Sequence, residues 1–93
     1  MIHFVLHDAR DNVAVVVVEG VVAGMRLNGW IMDEDRTIEL DAREDIPIGH
    51  KIALRELAVG DSATKYGIDI GKVVAPIAAG THAHVHNIRT RRW

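Results

Sequence analysis

The chain contains no cysteine, which excludes a disulfide framework, a thiolate metal site and a cysteine nucleophile. Aromatic residues are nearly as scarce: Phe4, Trp30, Tyr66 and Trp93 make up 4% of the sequence. Together with a formal net charge of -2, this argues against a base-stacking platform or a basic groove for nucleic acid. Serine occurs once, as Ser62, and no acyl-transfer triad can be built around it. The longest apolar run, residues 13–18, falls far short of the ~20 residues that a membrane helix needs. Residues 1–8 lack a basic n-region and a long apolar h-region, so no secretory signal and a cytoplasmic location are the expectation.

What remains is aliphatic and punctuated. Ninety-three residues imply one domain, 1–93, with a core spanning about 3–88 and a basic tail over 89–93. Hydrophobic residues reach 48%, and the share of valine and isoleucine among them favours strands. Eight glycines divide the chain into short runs with strand character at 4–6, 13–19, 25–31, 37–40, 50–54 and 82–88. Helical signals are thin: two turns within 52–59, and one within 73–79 that Pro76 limits. The expected fold is mainly β, with one or two short helical turns. A core this small, without a covalent staple, is closed by packing or by a partner.

Charge is unevenly placed. Residues 33–45 hold seven acidic and two basic side chains, and the acidic run Asp33-Glu34-Asp35 reads as a solvated turn. From Ile46 onward there are seven basic and three acidic residues, together with four of the six histidines. A small anion finds that half more favourable.

Three segments carry candidate chemistry. In His82-Ala83-His84-Val85-His86-Asn87, a strand would place the three histidines on one face. Two of them can converge on one metal ion, completed by ligands from elsewhere; the same rings can also simply line a surface or hydrogen-bond across a sheet. In Asp45-Ile46-Pro47-Ile48-Gly49-His50-Lys51, a turn delivers His50 and Lys51 to opposite faces of the next run. Lys51 is suited to pairing with a carboxylate or sulfonate, or equally to a surface position after a turn. In Thr64-Lys65-Tyr66-Gly67-Ile68-Asp69-Ile70-Gly71, a tight loop and a short strand present a cation and a phenol. Its glycine spacing is not a phosphate-binding fingerprint.

Taken in order, five segments resemble the SAF domain of the altronate and galactarate dehydratases. They are Asp11-Asn12-Val13-Ala14-Val15, residues 46–54 (Ile-Pro-Ile-Gly-His-Lys-Ile-Ala-Leu), Gly60-Asp61, Lys65-Tyr66-Gly67 with Ile70-Gly71, and residues 77–87 ending in the histidines and Asn87. The resemblance covers roughly residues 3–90. It implies a β-clip fold of short, twisted strands. It further implies a lyase, a sulfo-lyase or hydro-lyase, that eliminates sulfite or water from a small hydroxy-acid anion. Members in which this domain is a separate small subunit are the nearer match, so a large catalytic subunit is the expected partner, with no nucleic-acid or membrane partner and a homo-oligomer as a further state of the isolated chain. The implied cofactor is a divalent metal, iron being the expected ion, bound by or shared with the large subunit. On that reading Lys51, Lys65, Tyr66 and His50 contact the substrate, His84 and His86 carry the metal or transfer protons, and His82 joins the metal set. The competing reading is a stand-alone sugar-acid-binding or regulatory module without catalysis.

Overall fold

The computed structural model describes residues 1–84 and 86–90. Among these are nine strands and no helix: β1 (Phe4–Leu6), β2 (Val13–Val16), β3 (Arg26–Ile31), β4 (Arg36–Asp41), β5 (Lys51–Ala53), β6 (Ser62–Lys65), β7 (Ile68–Val73), β8 (His82–Ala83) and β9 (Ile88–Arg89). They form a six-stranded sheet in the order β4-β3-β1-β2-β5-β8 and a three-stranded sheet in the order β6-β7-β9. All pairings are antiparallel except β1 with β3.

One local device recurs four times. Val21–Leu27, Ile46–Ile52, Leu57–Ala63 and Ile77–Ala83 each read as an apolar residue, two turn residues, a glycine, two further residues and a second apolar residue. Both apolar ends are buried in every copy. Gly24, Gly49, Gly60 and Gly80 have φ of 93°, 85°, 97° and 81°, the position that a type II turn reserves for a residue without a Cβ. The turn bond follows in each case, from Met25, His50, Asp61 and Thr81 N–H to the carbonyls of Val22, Pro47, Ala58 and Ala78. These turns launch β3, β5, β6 and β8 respectively. They also dock in pairs, through the bridges Val21 to Ile46 and Leu57 to Ile77.

Each turn pair seals one of two small cores. Phe4, Leu6, Ala14, Val16, Val21, Leu27, Ile31, Ala42, Ile46 and Ile52 form the first. Val13, Ala53, Leu57, Val73, Ile77 and Ala83 form the second. Strands β2 and β5 run between them, so Val13 and Ala53 face one core while Ala14 and Ile52 face the other. A strand covered on both sides has no polar face, which explains the unbroken apolar run beginning at Val13. Phe4 is the one aromatic in either core among the described residues, and it lies over its register partner Gly29, where a Cβ would fall 2.0 Å from the ring.

The expected helical turns are absent from the described residues. Residues 52–59 finish β5 and enter the third turn, and residues 73–79 leave β7 for the fourth. In both places the backbone hydrogen bonds run to distant strands: Leu57 N–H donates to the Ile77 carbonyl, and Ile77 N–H to that of Leu57. Cross-chain pairing supplies what a helix ladder would have, at shorter length. The strand expected over 82–88 is likewise divided into β8 and β9 by a turn. Of the basic tail, Arg91, Arg92 and Trp93 lie outside the described residues, as does Val85.

Asp11 and Asn12 hold the β6–β7 hairpin against the larger sheet. The Asp11 carboxylate, 2% exposed, accepts hydrogen bonds from the backbone N–H groups of Asp8, Tyr66 and Gly67. Asn12 donates to the Ser62 carbonyl and accepts from Thr64 N–H. Tyr66 (φ 56°) and Gly67 (φ 70°) form the two-residue loop of this hairpin, so both N–H groups point at one acceptor. Asp11→Ala would leave three donors unsatisfied, two of them across the sheet boundary. A loss of about 3 kcal/mol in chemical denaturation is expected; a loss below about 1 kcal/mol would show that water replaces the carboxylate.

Candidate functional site

The turn at Pro47–His50 and the turn at Ala78–Thr81 place β5 and β8 side by side, with Lys51 opposite Ala83 and Ile52 opposite His82. Continuing that register by one residue sets His50 opposite His84, and their rings stack with centroids 4.3 Å apart. His82 packs beside both rings at 5.0 and 5.3 Å, and its Nε2 lies 2.8 Å from His50 Nδ1, sharing one proton between two imidazoles. One donor nitrogen from each of His50, His82 and His84 falls within 4.8 Å of the others, and all three residues are half-buried. His86 packs its ring against His82, at 5.3 Å, on the far side of this set.

Asn87 shapes the loop. Its side-chain oxygen accepts from His84 N–H at 2.8 Å, and its amide donates to the His82 carbonyl at 2.9 Å. Chain pairing therefore stops at Ala83, and the following residues curl back instead of continuing a strand face. The Glu44 carboxylate accepts from His82 N–H at 2.6 Å, holding the start of β8 from the other side. Two of these imidazoles, His82 and His84, resist acquiring charge. Burial first, and then its histidine neighbours, lower the His82 pKa below the usual imidazole range, with Glu44 opposing. Burial, His50 and Lys51 lower that of His84. The neutral ring is the form that accepts a proton or binds a metal.

Lys51 leaves the turn on the other side of β5 from His50. It lines a cavity of about 150 Å³ with Ile70, Ala83, His84, Ile88 and Thr90. Half-buried there, its ammonium is destabilised by lost hydration and then by the Lys65 charge, which lowers its pKa below the ordinary lysine range. A cation with part of its hydration removed, beside a neutral imidazole and aliphatic walls, can bind a small anion and present a proton acceptor to it.

The sequence candidates thus divide. His50, His82, His84 and Lys51 come together, with His86 adjoining. Lys65 is close enough to influence Lys51, but its Nζ lies 4.6 Å from the Tyr66 ring. Tyr66 is half-exposed at the hairpin tip, where its ring meets that of His7 edge-on at 5.2 Å. Sequence reasoning missed Glu44, Thr90 and the walls Ile70 and Ile88, which reach the site through tertiary pairing. Asn87 carried a readable signal: an asparagine three residues after His84 is the spacing of a side chain closing a turn.

Comparison with known proteins identifies the family. Residues 2–91 match the altronate/galactarate dehydratase SAF domain. The (2R)-sulfolactate sulfo-lyase subunit alpha of Chromohalobacter salexigens is 56% identical over 92 residues, spanning 99% of this chain and 98% of that one. The subunit of the same name from Paracoccus pantotrophus is 46% identical over 63 residues, 68% of this chain and 94% of that one. The altronate dehydratase of Escherichia coli K12 is 42% identical over 82 residues, 88% of this chain but 15% of that protein. A match across nearly its whole length places the chain in the altronate/galactarate dehydratase SAF domain family.

Proposed function

We propose that this chain is the small, alpha-type subunit of a lyase that eliminates sulfite from (2R)-sulfolactate, and that it completes its active site with a large catalytic subunit. The observation that carries the reading is identity: 56% to a sulfo-lyase alpha subunit, against 42% to an altronate dehydratase. The chain aligns with 98% of a sulfo-lyase alpha subunit, but with 15% of an altronate dehydratase that joins the same domain to a much larger polypeptide.

The chemistry requires removing the proton α to a carboxylate while sulfite leaves the β carbon. An unassisted α proton is too weakly acidic, so the developing enediolate and the departing anion both need positive contacts. Lys51 offers one such contact from a site partly screened from water, and Lys65, whose charge reaches Lys51, offers a second from the hairpin; Tyr66 stands beyond it at the hairpin tip. His84, neutral and lining the same cavity, accepts or relays a proton, and the hydrogen-bonded His50–His82 pair steadies its orientation. His86 flanks that pair as a second proton-transfer candidate. Substrate specificity arises where two anionic groups must be neutralised at once.

A divalent metal belongs to this reading, with iron as the candidate ion, bound mainly at or shared with the large subunit. The half-buried imidazole donors of His50, His82 and His84 fit such an ion, which when bound supplies Lewis-acid stabilisation of the enediolate. A cytoplasmic location for the complex belongs to the same proposal. The test is turnover by the two-subunit enzyme across a panel of sulfonated and hydroxylated acids. (2R)-Sulfolactate is expected to be the preferred substrate; preference for a non-sulfonated aldonate, with water released, would reassign the chain to the hydro-lyase branch.

A further inference from the structure

We propose that this chain's share of the metal site is self-sufficient: His50, His82 and His84 bind one borderline divalent transition ion in the isolated chain, before the large subunit adds any ligand. This rests on the lyase reading and concerns the ligand set of its metal alone; of the three histidines, His84 also lines the Lys51 cavity.

The argument begins with the His50–His82 contact. Two nitrogens 2.8 Å apart on rings from different turns are held face to face by one shared proton. Nitrogens bound to a common ion through bonds of ~2.1 Å stand about 3.0 Å apart at a right angle, and about 3.4 Å apart at a tetrahedral one. Replacing the proton by a metal ion therefore requires the pair to open by a few tenths of an ångström and both rings to turn until their lone pairs converge beside the N···N line. The His84 donor lies within 4.8 Å of both and has to swing inward, and it sits at the start of the loop closed by Asn87. Strands β5 and β8 supply the frame. Two of the ligands follow type II turns whose glycine N–H groups are tied to other strands, Gly49 to Val16 and Gly80 to Ala53, so the donors are brought together before any ion arrives.

The donor set also selects the ion. Three imidazoles and no carboxylate among them suit zinc, cobalt, nickel, copper or iron, and disfavour magnesium, calcium and manganese. Three ligands from one chain leave at least one position open. The resemblance to the dehydratase domain implies a metal set of His84 and His86 joined by His82. The geometry replaces His86 by His50 in that set.

The test is titration of the full chain alone with Co²⁺ and, by calorimetry, with Zn²⁺. Stoichiometric one-to-one binding is expected, with the visible absorption of nitrogen-coordinated cobalt, and Mn²⁺ should bind at least tenfold more weakly. His50→Gln, His82→Gln and His84→Gln should each weaken Zn²⁺ binding by about 30-fold or more, since even second-shell losses cost about 10–100-fold. His86→Gln should change it by less than about threefold. Should a variant fold poorly, ring-nitrogen NMR of the unsubstituted chain replaces it: Zn²⁺ is expected to shift His50, His82 and His84 but not His3 or His7. No saturable binding, or equal losses from His86→Gln and His50→Gln, would overturn the site. Sulfite release by the two-subunit enzyme is measured separately, so a failed titration alongside intact turnover refutes the metal site and leaves the lyase reading standing.

Discussion

Gly80→Ala is expected to lower stability by about 3–5 kcal/mol, whereas Gly49→Ala costs about 1 kcal/mol. The two glycines occupy the same position of the same turn, with φ of 81° and 85°. An alanine at either pays the left-handed backbone penalty. Their surroundings differ. A Cβ at Gly49 meets nothing within 4 Å, while one at Gly80 would lie 2.2 Å from the backbone oxygen of Asp41. That oxygen cannot retreat easily, because Gly80 is gripped from both sides: its N–H donates to Ala53, and its carbonyl accepts from Arg43. Opening this contact would move the strand that begins at His82. Urea denaturation of the two variants beside the parent chain measures the difference. Equal midpoints would mean that the fourth turn is looser than its packing indicates.

Lys51→Met should reduce kcat/KM of the assembled enzyme about 100-fold. Methionine preserves most of the apolar stem that packs beside Ile70 and Ile88, so the change removes charge with little loss of volume. A hydrogen bond to a charged partner contributes about 1.5–3 kcal/mol, and each 1.4 kcal/mol is a factor of ten. Thermal unfolding of the variant is expected to match the parent within a few degrees, which separates a lost anion contact from a damaged wall. Turnover within threefold of the parent would remove Lys51 from the site and move anion recognition to the hairpin or the large subunit.

How much of this was legible in the sequence follows from distance along the chain. Strands β1, β3, β4 and β5 stood out as short runs with strand character bounded by glycines or polar turn residues. The turn at Pro47–His50 was visible for the same reason. The pairing of turns was not, because Val21 with Ile46 and Leu57 with Ile77 join residues twenty or more positions apart. The fourfold pattern of apolar residue, two residues, glycine, two residues and apolar residue was present to be counted, and it would have argued against helix over 52–59. At the site, local reading grouped the histidines by the two-residue spacing of a strand. The turn closed by Asn87 ended that strand at Ala83, and the antiparallel register brought in His50 from 32 residues away. Asp11 stood out only as the start of the Asp11–Val15 segment; its role, holding the Tyr66–Gly67 loop, depended on a hairpin that only the folded chain brings near.

The most direct measurement is sulfite release from (2R)-sulfolactate by this chain alone, by the large subunit alone, and by both together. A shared active site predicts turnover only in the mixture, from a complex that survives gel filtration, and its loss when Lys51 is replaced by methionine. Full turnover by the large subunit in the absence of this chain would contradict a shared site and leave the small chain as a binding or regulatory module.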